Sequence, residues 1–263
     1  MVPDFSVADF QLFLLVLFRV GAMLQVAPLF SSAAIPPMAR IGFSFFIALA
    51  IFPWISAAGY YIPESFVEYS LLIVGEALVG ILIGFYLVII FAAFQVAGQF
   101  FSLQMGLGAS QVFDPLAQIE IPLMGQFLNI IAMFVFLTIS GFHKFMISGV
   151  LRSFQAFKAV DLVVKREQLV EVMISSLGQL FEHALIIAFP ILGTLLLVSV
   201  TMGLLAKAAP QMNLLMMGFP IAIATAFIVL IMAMPFLIAA FARIIDGSFS
   251  TLEKIYLYSG VGK

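Results

Sequence analysis

The residues able to do chemistry are few and scattered. Two charges, Arg19 and Glu76, stand inside long apolar runs, where an ionised side chain must face protein or water because hydrocarbon cannot solvate it. They read either as a buried structural ion pair or as part of a transport path, and the ion pair is the preferred reading. His143 and His183 lie in different segments, with no HExxH or paired-carboxylate spacing, so a metal or hydrolytic site is poorly supported. Glu171 and Glu182 fall on a polar helical face and read as solvated. The chain has no cysteine, which removes disulfides, thiol catalysis and thiolate metal sites. Gly106-Leu107-Gly108 lacks the strand-to-helix setting and third glycine of a nucleotide fingerprint. No cofactor and no metal are expected, and the chain is not read as an enzyme.

The remaining candidate is physical. The stretch Gly106, Leu107, Gly108, Ala109, Ser110, Gln111, Val112, Phe113, Asp114, Pro115 interrupts a very apolar chain just past its longest apolar run. Glycine tolerates positive φ and close backbone approach, and Pro115 biases Asp114 toward extended geometry, so a loop is expected. In a membrane protein a loop must lie outside the hydrocarbon, be buried in protein or line a watery cavity. It is therefore either an ordinary interfacial connector or an obstruction in a conduit.

The elements that must position these residues follow from composition. Of 263 residues, 64% are hydrophobic and 9% are charged, and the mean hydropathy is +1.24, which a soluble domain cannot carry on its surface. The expected fold is an all-α membrane protein of long hydrophobic helices and helical hairpins, with residues 1–263 as one membrane-embedded domain. A net charge of −2 argues against a nucleic-acid partner. The N-terminus has no basic region and no cleavage site stands out, so the first apolar segment is expected to be retained.

Taken in order, the first apolar run is Phe10 to Phe30. Pro28, Pro36 and Pro37 then mark a hairpin before the second run, Ile41 to Ala58, with Trp54 at an interfacial position near its end. Tyr69 to Leu103 exceeds the ~20 residues that a bilayer needs and lacks a polar turn, so it reads as one long helix covered by other protein. Gly75, Gly80 and Gly84 offer places where another helix can approach closely. After the loop comes an uncharged run, Leu123 to Phe142. Asp161 to His183 has helical amphipathic spacing and reads as an element lying on the membrane surface or a partner helix. Ala184 to Ala206 and Leu214 to Ala242 are two more apolar runs, joined by a short polar elbow. The end from Arg243 to Lys263 reads as a cytoplasmic tail. Met202, Met212, Met216, Met217, Met232 and Met234 read mainly as flexible packing, with a few near the elbow able to form a deformable seal.

The basic residues set a puzzle. Lys144, Arg152, Lys158, Lys165 and Arg166 place residues 143 to 166 on the cytoplasmic side, while the N-terminal tail and the 59 to 68 connector, without Lys or Arg, fall outside. These assignments agree only if the 69 to 103 run crosses twice, which its lack of a turn contradicts. Ordinary span counting therefore fails here.

Three stretches carry a resemblance. The first is Phe18-Arg19-Val20, then Ala27-Pro28-Leu29-Phe30, Ile35-Pro36 and Arg40. The second is the Gly106 to Pro115 loop, followed by an apolar helix and Ser140-Gly141-Phe142-His143. The third is Gly203-Leu204-Leu205-Ala206-Lys207-Ala208-Ala209-Pro210-Gln211-Met212-Asn213. Together and in this order they resemble the FliR family, the export-gate subunit of the flagellar type III secretion system, whose injectisome relatives are called SctT. Lys207 departs from the pattern, since an Arg is expected there, and it lacks the planar fork for bidentate pairing.

The resemblance implies a subunit held as a single copy in a helical assembly with several FliP and FliQ homologues, beside FlhB and with FlhA and the export apparatus. Residues 1–142 would be FliP-like and residues 143–263 FliQ-like, in the bacterial inner membrane at the flagellar basal body. The cargo would be unfolded flagellar proteins. Much of the assembly would rise out of the membrane plane, which would dissolve the topology puzzle. The Gly106 to Pro115 loop would be the plug, with Phe113 as the obstruction. Arg19, Pro28, Pro36, Arg40, Glu76, Lys207, Pro210, Gln211 and Asn213 would serve mainly in subunit contacts. Competing readings are an injectisome gate subunit, a small-molecule or ion transporter and, third, a membrane enzyme.

Overall fold

Ser6 starts the first helix by a reciprocal cap: its hydroxyl accepts from the Asp9 N–H at 3.1 Å while its own N–H donates to the Asp9 carboxylate at 3.0 Å. The structure, a computed structural model, describes residues 6–32, 34–57, 59–107, 123–159, 161–209, 211 and 214–256. Its regular elements are helical: α1 (Val7–Val26), α2 (Pro37–Ser56), α3 (Phe66–Gln104), α4 (Leu123–Thr138), α5 (Gly141–Lys144), a π-helical stretch (Phe145–Leu151), α6 (Arg152–Ala156), α7 (Asp161–Val164), α8 (Arg166–Ala208) and α9 (Leu214–Tyr256). Among the described residues five helices are long and apolar enough to cross a membrane, namely α1, α2, α3, α8 and α9.

The chain divides into two units. The first comprises Met1–Ile89, Ser140–Ser176 and Asp246–Lys263. Within it α1 and α2 form the expected hairpin, with Pro37 as the first residue of α2, where its missing N–H costs nothing. Phe13 meets Phe45 and Phe52 edge to face, at 5.4 and 5.9 Å between centroids. α3 packs on α1 through Gly80 and Gly84: a Cβ at Gly80 would fall 2.2 Å from the Arg19 carbonyl oxygen, and one at Gly84 would fall 2.8 Å from that of Met23. Gly75 admits Ala159 in the same way. Gly80 and Gly84 thus serve the close helix approach expected of them, whereas Gly75 receives a turn and not a helix.

The second unit comprises Ile90–Ile139 and Leu177–Ile245. Gly98 and Gly125 bring α3 and α4 together, with a Cβ at Gly98 only 2.4 Å from the Gly125 nitrogen. Phe94 lies 4.5 Å from Phe241, and Phe91 meets Phe136 edge to face at 5.8 Å.

Three expectations change on inspection. The 69 to 103 run is one helix of 39 residues, yet 61% of its apolar window is buried by the chain itself, so partners are not its main cover. The amphipathic segment does not end at His183, because no residue there stops a helix, and α8, 43 residues in all, continues through the next apolar run. The supposed tail likewise continues α9 to Tyr256. The weakly covered elements are instead α2, α8 and α9, with 22%, 22% and 17% of their apolar windows buried.

Candidate functional site

The helix α3 is stopped at the first glycine of the candidate stretch. Gly106 has φ +81°, its N–H donates to the Leu103 carbonyl at 3.0 Å, and the Leu107 N–H donates to the Ser102 carbonyl at 3.2 Å. This pair of bonds closes a helix that ends at Gln104 and turns at the left-handed Gly106 two positions on, a conformation that glycine adopts without strain. The expectation that helix fails at Gly106 is met for these residues. Gly108, Ala109, Ser110, Gln111, Val112, Phe113, Asp114 and Pro115 lie outside the described residues, as do Pro210, Met212 and Asn213. At the elbow, Lys207 and Gln211 are exposed, and the Ala209 N–H bonds back to Leu205 at 2.8 Å.

The buried charges do come together. Arg19 and Glu76 are both 0% exposed, and Oε2 of Glu76 accepts from Nε and Nη2 of Arg19 at 2.5 Å each. Nη2 also donates to the Phe157 carbonyl at 2.7 Å, and Nη1 reaches the Ser153 hydroxyl at 3.4 Å. The guanidinium lies 4.0 Å from the centre of the Phe154 ring. Oε1 of Glu76 accepts from the Tyr60 hydroxyl and from the Ala159 N–H at 3.2 Å. Burial first, and the neighbouring Glu76 charge second, raise the Tyr60 phenol above its ordinary value, so it stays protonated and donates. The cage ties α1, α3, the connector before α3 and the turn after α6 into one unit. Its geometry suits holding these elements in register, and both charges are engaged inside the chain. Sequence reading missed Tyr60, Ser153, Phe154, Phe157 and Ala159.

Arg40 clasps the hairpin. Its Nη2 donates to the carbonyls of Ser32 at 2.7 Å, Ile35 at 3.1 Å and Ser31 at 3.4 Å, and Nη1 donates to Oε1 of Gln25 at 3.2 Å. Pro28 is half-buried and Pro36 exposed on either side of this clasp. On the basic segment, Lys144 pairs with Asp246 at 2.6 Å and Arg152 with Glu253 at 2.5 Å. Both pairs are partly exposed and contribute ~1 kcal/mol or less. Among the described residues no three His, Asp or Glu side chains converge as metal ligands.

An all-α chain with, among its described residues, five apolar helices of membrane-crossing length and a buried ion cage is an integral membrane protein. The comparisons make it more particular. Residues 10–248 match the family described as "Bacterial export proteins, family 1". The "Flagellar biosynthetic protein FliR" of Bacillus subtilis (strain 168) is 32% identical over 262 residues, covering 97% of this chain and 99% of the relative. FliR of Borreliella burgdorferi is 30% identical, with 94% and 92% covered, and FliR of Escherichia coli (strain K12) is 30% identical, with 86% and 85% covered. The chain belongs to the bacterial export proteins, family 1, the family of the flagellar biosynthetic protein FliR.

Proposed function

We propose that this chain is a core subunit of the flagellar protein-export gate in the bacterial inner membrane at the flagellar basal body. With FliP and FliQ homologues, and beside FlhB, FlhA and the rest of the export apparatus, it forms the conduit for unfolded flagellar proteins. Residues 1–142 act as a FliP-like part and residues 143–263 as a FliQ-like part, and the Gly106 to Pro115 loop plugs the conduit. The observation that carries the reading is the uncovered apolar surface of α8 and α9. Each has 43 residues, about twice what a bilayer span requires, and on α8 exposed apolar side chains run from Val170 to Leu205, farther than the hydrocarbon of one span reaches. Such surface beyond the hydrocarbon needs other subunits to cover it. Lys207, Gln211 and the bare face of α2 are the contact positions this favours. Arg19 and Glu76 serve the subunit shape from within.

The mechanism follows from two demands, ion tightness when idle and passage of an extended chain when working. An apolar plug such as Phe113 meets the first demand, and glycines at 106 and 108 let its loop move for the second. The transporter reading weakens because the intramembrane charges that motivated it are paired and caged. Co-expression with FliP and FliQ homologues, purification through a tag on this chain and native mass spectrometry test the proposal. A defined complex with one copy of this chain is expected, and a monomer or homo-oligomer without those partners would refute it. For the plug, Gly108→Val should impair export or change ion tightness, and a variant normal in both would remove that assignment.

A further inference from the structure

The first unit keeps an apolar cavity beside two cations. The cavity, of about 40 Å³, lies between α3, the turn after α6, α7, α8 and the end of α9. That exceeds the ~10–15 Å³ that a water-sized group needs. Its floor is buried, with Val79, Ile83 and Tyr86 of α3 and Leu252 of α9. Its rim is half-buried, with Leu162 of α7 and Leu169 and Met173 of α8, so it opens along those two helices. The one hydroxyl among the lining residues, that of Tyr86, donates to the Ser248 carbonyl at 2.9 Å. Water has no partner left there, and a void forfeits the contacts that hydrocarbon would supply.

The cations stand at the rim. Lys165 occupies the break between α7 and α8, and its Nζ lies 5.7 Å from the centre of the Phe157 ring, which also lines the cavity. Exposed Arg166 follows it. At ~100° per residue Arg166 falls about 60° from Leu169 on α8, on the cavity side, whereas Glu167 and Glu171 each fall about 160° away. The other acids near the lining are engaged. Glu76, one turn before Val79, is caged with Arg19, and Glu253, next to Leu252, holds Arg152 at 2.5 Å and the Ser148 hydroxyl at 2.7 Å. A helix break carrying two cations suits the headgroup layer, where backbone polar groups find partners that hydrocarbon lacks.

We propose that this cavity is a phospholipid site: the first methylenes of one acyl chain fill it, and the phosphate lies against Lys165 and Arg166. The apolar floor selects hydrocarbon and the rim selects an anionic headgroup. A mere packing defect takes up no lipid, and a seat for a partner's side chain is closed to lipid in the membrane.

The test uses the full chain in vesicles of the bacterial membrane. The probe is phosphatidylglycerol with a photoactivatable diazirine near the carboxyl end of one acyl chain. Cross-links are expected on Val79 to Tyr86 or on residues 157 to 173. Lys165→Gln with Arg166→Gln should cut that labelling more than tenfold, as should replacing the probe by a diacylglycerol carrying the same diazirine. Val79→Leu extends into the cavity and should cut labelling about fourfold, the worth of one displaced methylene. Its unfolding midpoint in detergent should be no lower than the parent's; if it is lower, Leu162→Phe at the rim takes its place. Labelling of the parent that misses both segments would overturn the proposal, because a protein partner or nothing then fills the cavity. Labelling there that the charge variant and the diacylglycerol leave unchanged would also overturn it, since bulk lipid would then merely be touching the surface.

Discussion

Glu76→Gln should be one of the most damaging conservative substitutions in the chain. The glutamate accepts two Arg19 donors at 2.5 Å through Oε2, and the Tyr60 hydroxyl and Ala159 N–H through Oε1. Glutamine has one acceptor oxygen. Directed at Tyr60 and Ala159, it turns its NH2 onto the guanidinium donors; flipped, it turns that NH2 onto the Ala159 N–H. In both orientations a fully buried guanidinium loses its counter-charge. Breaking a buried pair from one side costs ~3–5 kcal/mol. For a chain of this size each kcal/mol moves the unfolding midpoint by ~2–4 °C, so a fall of ~6–20 °C is expected. The assay is thermal unfolding of the purified protein in detergent, with parent and variant scanned at one rate because large membrane proteins seldom refold. Arg19→Met combined with Glu76→Leu removes both charges and should restore all but ~1–2 kcal/mol, since an apolar pair of similar reach can replace a buried ion pair. A Glu76→Gln midpoint indistinguishable from the parent's, or a double variant whose loss equals the sum of the single losses, would refute the reasoning.

Glycine substitutions should divide sharply by place. Gly80→Ala would bring a methyl group against the Arg19 carbonyl oxygen and force α1 away from α3, at ~1–3 kcal/mol or more. Gly42→Ala, with nothing within 4 Å, should leave the chain as stable or gain up to ~1 kcal/mol from helix propensity, and paired unfolding curves check both. Tyr60→Phe removes one donor to Glu76 and should cost ~1–2 kcal/mol. The raised Tyr60 value also fixes a sign: its contribution is held below the ordinary phenol value of 10.0 and lost as pH climbs above it, so the parent should lose stability in alkali more steeply than Tyr60→Phe. Unfolding midpoints across that range would show it.

Apolar run length and charge scarcity alone determine a helical membrane protein, because hydrocarbon forces backbone polar groups to bond within their own segment. The same scarcity made the Arg19 and Glu76 pairing legible, since neither charge tolerates burial alone. The rest of that cage was not legible: Ser153 and the Phe157 carbonyl lie 134 and 138 residues from Arg19, and nothing local marks them as its partners. Helix ends were readable where chemistry stops a helix, as at Gly106, and misread where only composition changed, as at His183. What glycine at 106 rests upon was decided by tertiary structure, because Phe219 reaches that backbone only when α9 folds back against the end of α3. Local sequence encodes where backbone hydrogen bonds must end, whereas the neighbour that fills the space left by a missing side chain is chosen by packing between distant segments.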